Sequence, residues 1–166
     1  TGREIGSSFA VYKDGEPIID MWGGFSSKEK IKEWERNTLA NVWSTTKGVA
    51  AITLAHAYEN DLIDYDEKVC EYWPEFGCNG KEEITVGMLL SHQAGICGSM
   101  ATKAEDYYDQ KIMANELALM KPLWEPGTAS GYHSMTYGWL TSELMLRVSG
   151  KSLGNYFRSE IGDPNN

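Results

Sequence analysis

The sequence predicts an α+β fold on three observations. An Asp-Gly turn separates two alternating apolar segments near the N-terminus, an apolar helical segment opens at Ser44, and an amphipathic helical period closes on Gly150. Residues 7 to 24 alternate apolar and polar, with Phe9 and Val11 before Lys13-Asp14-Gly15-Glu16 and Ile18, Ile19, Met21 and Trp22 after it. A tight hairpin turn needs φ > 0 at its centre, and Asp-Gly supplies it, so this segment is a β-hairpin. Residues 26 to 37 are charged and poor in strand formers, as in a solvated loop.

From Ser44 to Asn60, Val49, Ile52, Ala55 and Tyr58 recur at helical spacing with Ala50, Ala51, Leu54 and Ala57 between them. A helix apolar on most of its sides belongs in the middle of a domain. Leu62-Ile63-Asp64 leads through an acidic turn to Val69, Tyr72, Trp73 and Pro74. Thr85 is placed to cap a short helix over residues 86 to 91, its hydroxyl accepting from an otherwise unpaired backbone N–H. A glycine-bearing loop follows over residues 93 to 98. Residues 105 to 121 are predicted helical over part of their length, stopped by Pro122 and Pro126-Gly127. Tyr137, Leu140, Leu144 and Val148 mark a helix over residues 135 to 149, with Gly150 as its C-terminal cap. Residues 152 to 161 add one more short helix. Two strands are marginal by themselves, so the pattern wants more strands than it contains.

The length suits one domain over residues 1–166 with one hydrophobic core. With 15 Lys and Arg against 24 Asp and Glu, the formal charge is −9, which repels phosphate backbones and anionic lipid and argues against a nucleic-acid partner. No stretch approaches the roughly 20 apolar residues of a membrane helix, so no membrane association is expected. Thr1-Gly2-Arg3-Glu4 has neither the basic nor the apolar part of a secretory signal. Cys70, Cys78 and Cys97 are odd in number and form no Cys-x-x-Cys pair, and His56, His92 and His133 form no His-x-x-x-His pair. Neither a disulfide framework nor a metal or cofactor site is expected.

Ser44-Thr45-Thr46-Lys47 places a hydroxyl and an amine three residues apart at the mouth of the most apolar helix, on one face. Serine is a weak nucleophile until a base takes its proton, and a lysine desolvated or beside another cation can serve. The helix N-terminus adds backbone N–H groups suited to an oxyanion. The same spacing recurs at Ser27-Lys28-Glu29-Lys30, but within a run of charge where Lys30 stays hydrated and protonated. The alternative for Ser44 is an ordinary helix cap with Lys47 at the surface. Tyr132, in Gly131-Tyr132-His133-Ser134, is a second candidate: a phenol near a lysine cation loses its proton more easily and can shuttle it, with the Ser134 hydroxyl in the same network. Its alternative is a core aromatic. His92 or His133 could instead act as the base of a Ser-His-acid triad, although no Gly-x-Ser-x-Gly elbow is present.

Several phrases, in order, resemble the serine β-lactamase-related superfamily, in its branch of class C-like enzymes, family VIII carboxylesterases and animal β-lactamase-domain proteins. They are Phe9-Ala-Val-Tyr-Lys-Asp-Gly with Trp22-Gly-Gly, Trp43-Ser-Thr-Thr-Lys-Gly, Tyr72-Trp-Pro-Glu-Phe, Ile84-Thr-Val-Gly-Met-Leu-Leu-Ser-His-Gln-Ala-Gly-Ile, and Trp124-Glu-Pro-Gly-Thr through Tyr137-Gly. The resemblance implies a penicillin-binding-protein-type transpeptidase fold, of which this chain holds the helical region and an N-terminal hairpin of the antiparallel sheet. It implies Ser44 as the acylated nucleophile, Lys47 as its partner in proton transfer, and Tyr132 as the first residue of a Tyr-x-Asn or Tyr-x-Ser element whose third position is Ser134. Serine there in place of asparagine shifts the expected substrate from β-lactams toward small esters or amides. The family's Lys-Thr-Gly or His-x-Gly strand is expected beyond residue 166, which leaves the domain incomplete at its C-terminus. A non-catalytic scaffold that retains the fold is the second expectation.

Overall fold

The computed structural model describes residues 3–98 and 103–165. The chain divides into two compact units, Thr1–Val42 and Trp43–Asn166.

The first unit is built on a hairpin, β1 (Gly6–Lys13) and β2 (Glu16–Gly24), paired antiparallel from Gly6↔Gly24 to Lys13↔Glu16. Asp14 and Gly15 both take left-handed backbone, φ 52° and 83°, as a two-residue turn matched to strand twist requires. The register slips between Val11↔Ile19 and Tyr12↔Pro17, leaving Ile18 as the extra residue of a bulge. Beyond β2, the predicted solvated loop folds back: Phe25 bridges Glu33, and Arg36 reaches the Asp20 carboxylate at 2.7 Å.

The second unit is helical. Its first helix, α1 (Thr46–Glu59), begins two residues later than predicted, because Trp43 has φ 47° and the chain enters through a tight turn at Trp43–Thr45. Next come α2 (Val69–Tyr72), a tight turn Pro74–Phe76 and α3 (Val86–Leu90). Thr85 caps α3 as expected, its Oγ1 accepting the Met88 N–H at 3.1 Å. The helix predicted within residues 105 to 121 resolves into a turn at Ala104–Tyr108 and α4 (Gln110–Leu119). Extended Asp109 separates them and caps α4 by accepting from the N–H groups of Lys111 and Ile112. Two last helices, α5 (Thr136–Ser149) and α6 (Leu153–Phe157), are joined at Gly150, whose φ of 72° ends α5 as the sequence indicates.

The core of this unit joins Leu54 and Ala57 of α1 to Trp73, Phe76, Leu89, Leu117, and Leu140 and Leu144 of α5. Each large apolar side chain fully removed from water contributes about 1.5–3 kcal/mol, so α1 and α5 are held together where they carry the candidate site. The helix expected in the middle of the domain from its apolar residues on most sides is buried on one side only: Ile52 and Tyr58 of α1 are exposed. Lys81 is wholly buried, its Nζ donating to the carbonyls of Cys78 at 2.7 Å and Met120 at 2.6 Å, and burial pushes its pKa down. That lysine ties the chain after Phe76 to the end of α4, because a buried ammonium needs such acceptors.

Candidate active site

Ser44 lies in the tight turn that opens α1 and Lys47 in the helix's first turn, so three-residue spacing brings both side chains to one side. The Lys47 Nζ donates to Ser44 Oγ at 3.3 Å and to the carbonyl oxygen of Ser134 at 2.7 Å, across 87 residues of chain. The Tyr132 ring centroid is 4.8 Å from the same nitrogen, within cation–π range, and the Tyr137 ring is at 6.0 Å. Ser44, Lys47, Tyr132 and Ser134, selected from separate parts of the sequence, therefore meet at one ammonium. Ser134 differs in detail: Lys47 uses its backbone carbonyl, whereas the sequence pointed to its hydroxyl.

This cluster sets the electrostatics of the phenol. A hydrogen bond with the Ser44 hydroxyl, and next one with Lys47, hold the Tyr132 pKa below the ordinary tyrosine range; desolvation opposes them, and the Lys47 charge adds the smallest contribution in the lowering direction.

Tyr132 stands on an irregular segment just ahead of α5, and packing sets its position. Gly131 lies against the Trp124 indole, where any Cβ would collide with the ring; the Trp124 Nε1–H donates to Ala129 O at 3.0 Å. His133 is fully buried behind Tyr132. Its Nε2 accepts the Ile96 N–H at 3.2 Å, so the ring proton is on Nδ1, which donates to Gly131 O at 2.6 Å. Burial pushes its pKa down and keeps the ring neutral. With both nitrogens committed to backbone, His133 is a structural residue in this arrangement rather than the base of a triad. The Nδ1 of His92 is likewise bonded to backbone, accepting the His133 N–H at 3.2 Å.

Beside Ser44 opens a cleft of about 460 Å³, walled by Trp43, Ala50, Met135, Tyr137 and Leu153 among others. Lys47 is the one charged side chain among its described lining residues, and the volume suits a small organic molecule. None of Trp43, Met135, Tyr137 and Leu153 was given a place in the site by the sequence. Tyr137 registers there as an apolar helical position and as part of a family-like phrase, and Leu153 reaches the cleft through the turn at Gly150, a purely tertiary effect. Trp43 carries no local signal for left-handed backbone, which Gly or Asn would have given. Among the described residues no group of His, Cys, Asp or Glu is arranged to hold a metal ion.

The whole chain, residues 1–166, matches the family model described as Beta-lactamase. It is 38% identical to the esterase/beta-lactamase LipL of Mycobacterium tuberculosis over 98% of this chain and 38% of that protein. Among solved structures it is similar to a family VIII carboxylesterase, with 43% identity and a TM-score of 0.92 over 98% of this chain and 45% of that one. A penicillin-binding protein homologue from Caulobacter crescentus gives 39% identity and a TM-score of 0.94 over 98% and 44%. The chain thus spans less than half the length of these relatives, and its helices and antiparallel hairpin are consistent with an N-terminal part of their fold. On these matches the chain belongs to the beta-lactamase family, within the serine β-lactamase-like superfamily.

Proposed function

We propose that this chain carries the nucleophile of a serine hydrolase that works through an acyl-enzyme, with Ser44 attacking the carbonyl carbon of an ester or amide. The observation that carries the reading is the single ammonium of Lys47 bonded to Ser44 Oγ while its charge faces the Tyr132 ring. Because Lys47 donates to the Ser44 oxygen, the hydroxyl proton of Ser44 is left to the phenol oxygen of Tyr132. The depressed pKa of that phenol favours its phenolate, which takes the proton as Oγ attacks. The tetrahedral oxyanion that forms lies near the backbone N–H groups opening α1, where the helix dipole is favourable. On collapse the carbonyl-to-leaving-group bond breaks and Tyr132 returns the proton to the departing oxygen or nitrogen. A water then attacks the acyl carbon as Tyr132 accepts its proton; the bond from that carbon to Ser44 Oγ breaks on collapse, and Tyr132 passes the proton to Oγ, which restores the hydroxyl and the phenolate and frees the carboxylic acid.

Small carboxylic esters come first as substrates, peptide-like amides second and β-lactams third. Two features support that order: serine rather than asparagine at position 134, and the apolar walls of the cleft beside Ser44. An alkyl fluorophosphonate probe applied to the intact polypeptide, followed by peptide mass spectrometry, tests the reading. Labelling is expected at Ser44 and lost in Ser44→Ala. Labelling elsewhere, or none, would reject acyl transfer and leave the fold as a scaffold.

A further inference from the structure

The mechanism asks Tyr132 to stand within a few tenths of an ångström of its working position, yet the residue is half exposed and belongs to no helix or strand. What holds it comes from a different loop. The carbonyl of His92 accepts the N–H of Gly131 at 3.0 Å, and the Nδ1 of the same histidine accepts the N–H of His133 at 3.2 Å. One residue thereby grips the backbone on both sides of Tyr132. Its ring also lies against the Tyr132 ring, centroids 5.1 Å apart and edge-on, and against Tyr137 at 5.0 Å. Next to it, the Ser130 hydroxyl donates to Ser91 O at 3.2 Å, extending the same seam.

His92 is bent to make this grip. Its φ is 65°, a left-handed backbone that costs a residue other than glycine roughly 1–2 kcal/mol and that surrounding structure must enforce. From these contacts we infer that His92 is the positioning residue of Tyr132, holding the phenol against Ser44 and Lys47 through the acceptor lone pair of its Nδ1. This rests on the acyl-transfer reading for its purpose but not for its geometry. A neutral ring is required, since a protonated Nδ1 would point a hydrogen at the His133 N–H. Burial and the Lys47 charge push the His92 pKa down and keep the ring in that form.

Two variants separate the grip from mere folding. His92→Asn puts a carbonyl oxygen near the place of Nδ1 and tolerates left-handed backbone, so it keeps the grip. His92→Gly relaxes the backbone but removes the acceptor and the ring. Both are compared with wild type in the intact polypeptide by melting temperature, by fluorophosphonate labelling rate at Ser44, and by pH titration of ¹³Cζ-tyrosine signals, with Tyr132→Phe identifying the Tyr132 resonance.

In His92→Gly the labelling rate should fall by about 10²-fold, the loss typical of a misplacement near 1 Å, and the Tyr132 titration should move up toward ordinary tyrosine. His92→Asn should stay close to wild type in both. The inference is overturned if His92→Gly titrates Tyr132 as wild type does, or if His92→Asn is as impaired as His92→Gly. Should wild type fail to label at Ser44, the acyl-transfer reading falls, and the Tyr132 titrations still decide the role of His92.

Discussion

Two stretches of this chain spell Ser-x-x-Lys, and the structure treats them differently. At Ser27–Lys30 the chain makes a turn, with the Lys30 N–H reaching Ser27 O at 3.2 Å and Lys30 itself left-handed at φ 54°. The Ser27 hydroxyl is spent on Glu29, holding that carboxyl below its usual range, and Lys30 points into solvent. At Ser44–Lys47 the same spacing lies on the opening turns of α1, and the ammonium touches the hydroxyl directly. Spacing alone therefore specifies nothing. It becomes a site when a helix puts i and i+3 on one face and a second segment, here Tyr132 to Ser134, closes over them.

The largest effect that separates the two copies is at the nucleophile. Ser44→Ala is expected to cut turnover of a chromogenic ester by about 10⁴-fold or more, as loss of a covalent nucleophile does, while Ser27→Ala leaves it unchanged. Equal losses in the two variants would dissolve the distinction. Next come the proton-handling groups: Lys47→Ala and Tyr132→Phe should each cost about 10²–10⁴-fold in kcat, with Lys30→Ala silent. Lys47→Ala carries a second signature, because it removes one hydrogen bond and the cation that depress the Tyr132 pKa. In the proposed mechanism Tyr132 takes the proton as the phenolate, so acylation is expected to rise as pH rises through its pKa. Without Lys47 that rise should shift to higher pH, toward the ordinary tyrosine range, and a rate–pH profile that does not move would contradict the role given to the cation.

A third difference is anchorage. The helix under the second copy is fastened by Leu54, which is completely buried among α1, α5 and the Trp73–Phe76 segment, whereas Lys30 ends an exposed turn. Leu54→Ala should destabilise the helical unit by about 2–5 kcal/mol, read from denaturant unfolding. A loss under 1 kcal/mol would mean that α1 is held by something other than this core.

How much of this was legible beforehand follows from how local each cause is. The Asp14-Gly15 turn, the Thr85 cap, the Gly150 stop and the shared face of Ser44 and Lys47 depend on residues a few positions apart, so residue type and spacing were enough. The residues alone left Tyr132 indistinguishable from a core aromatic. Its neighbourhood is created by contacts with Ser91, His92 and Lys47, and resemblance to a family had to stand in for them. The left-handed backbones at Trp43 and His92 were illegible for a further reason: aromatic and imidazole side chains give little local sign of φ > 0, and tertiary packing imposes it. The late start of α1 is the visible consequence of the first. The interruption at Asp109 was in principle readable, since an aspartate ahead of Gln110 is a good cap, but the charged run around it carried no apolar period to mark a boundary.

The smallest predicted effect probes the idle copy itself. If Lys30 only terminates a turn, its left-handed φ is a cost without a return, and glycine should suit the position better. Removing the side chain relieves roughly 1–2 kcal/mol of steric strain, while the freer unfolded chain takes back about 0.5–1 kcal/mol. The net gain should be near 0.5 kcal/mol, enough to slow exchange of the Lys30 amide about twofold if that amide opens locally. Lys30→Gly should do so with no change in ester turnover. Faster exchange, or lost turnover, would show that the Lys30 side chain has an attachment the turn geometry does not reveal, and the contrast between the two copies would then rest on the helix alone.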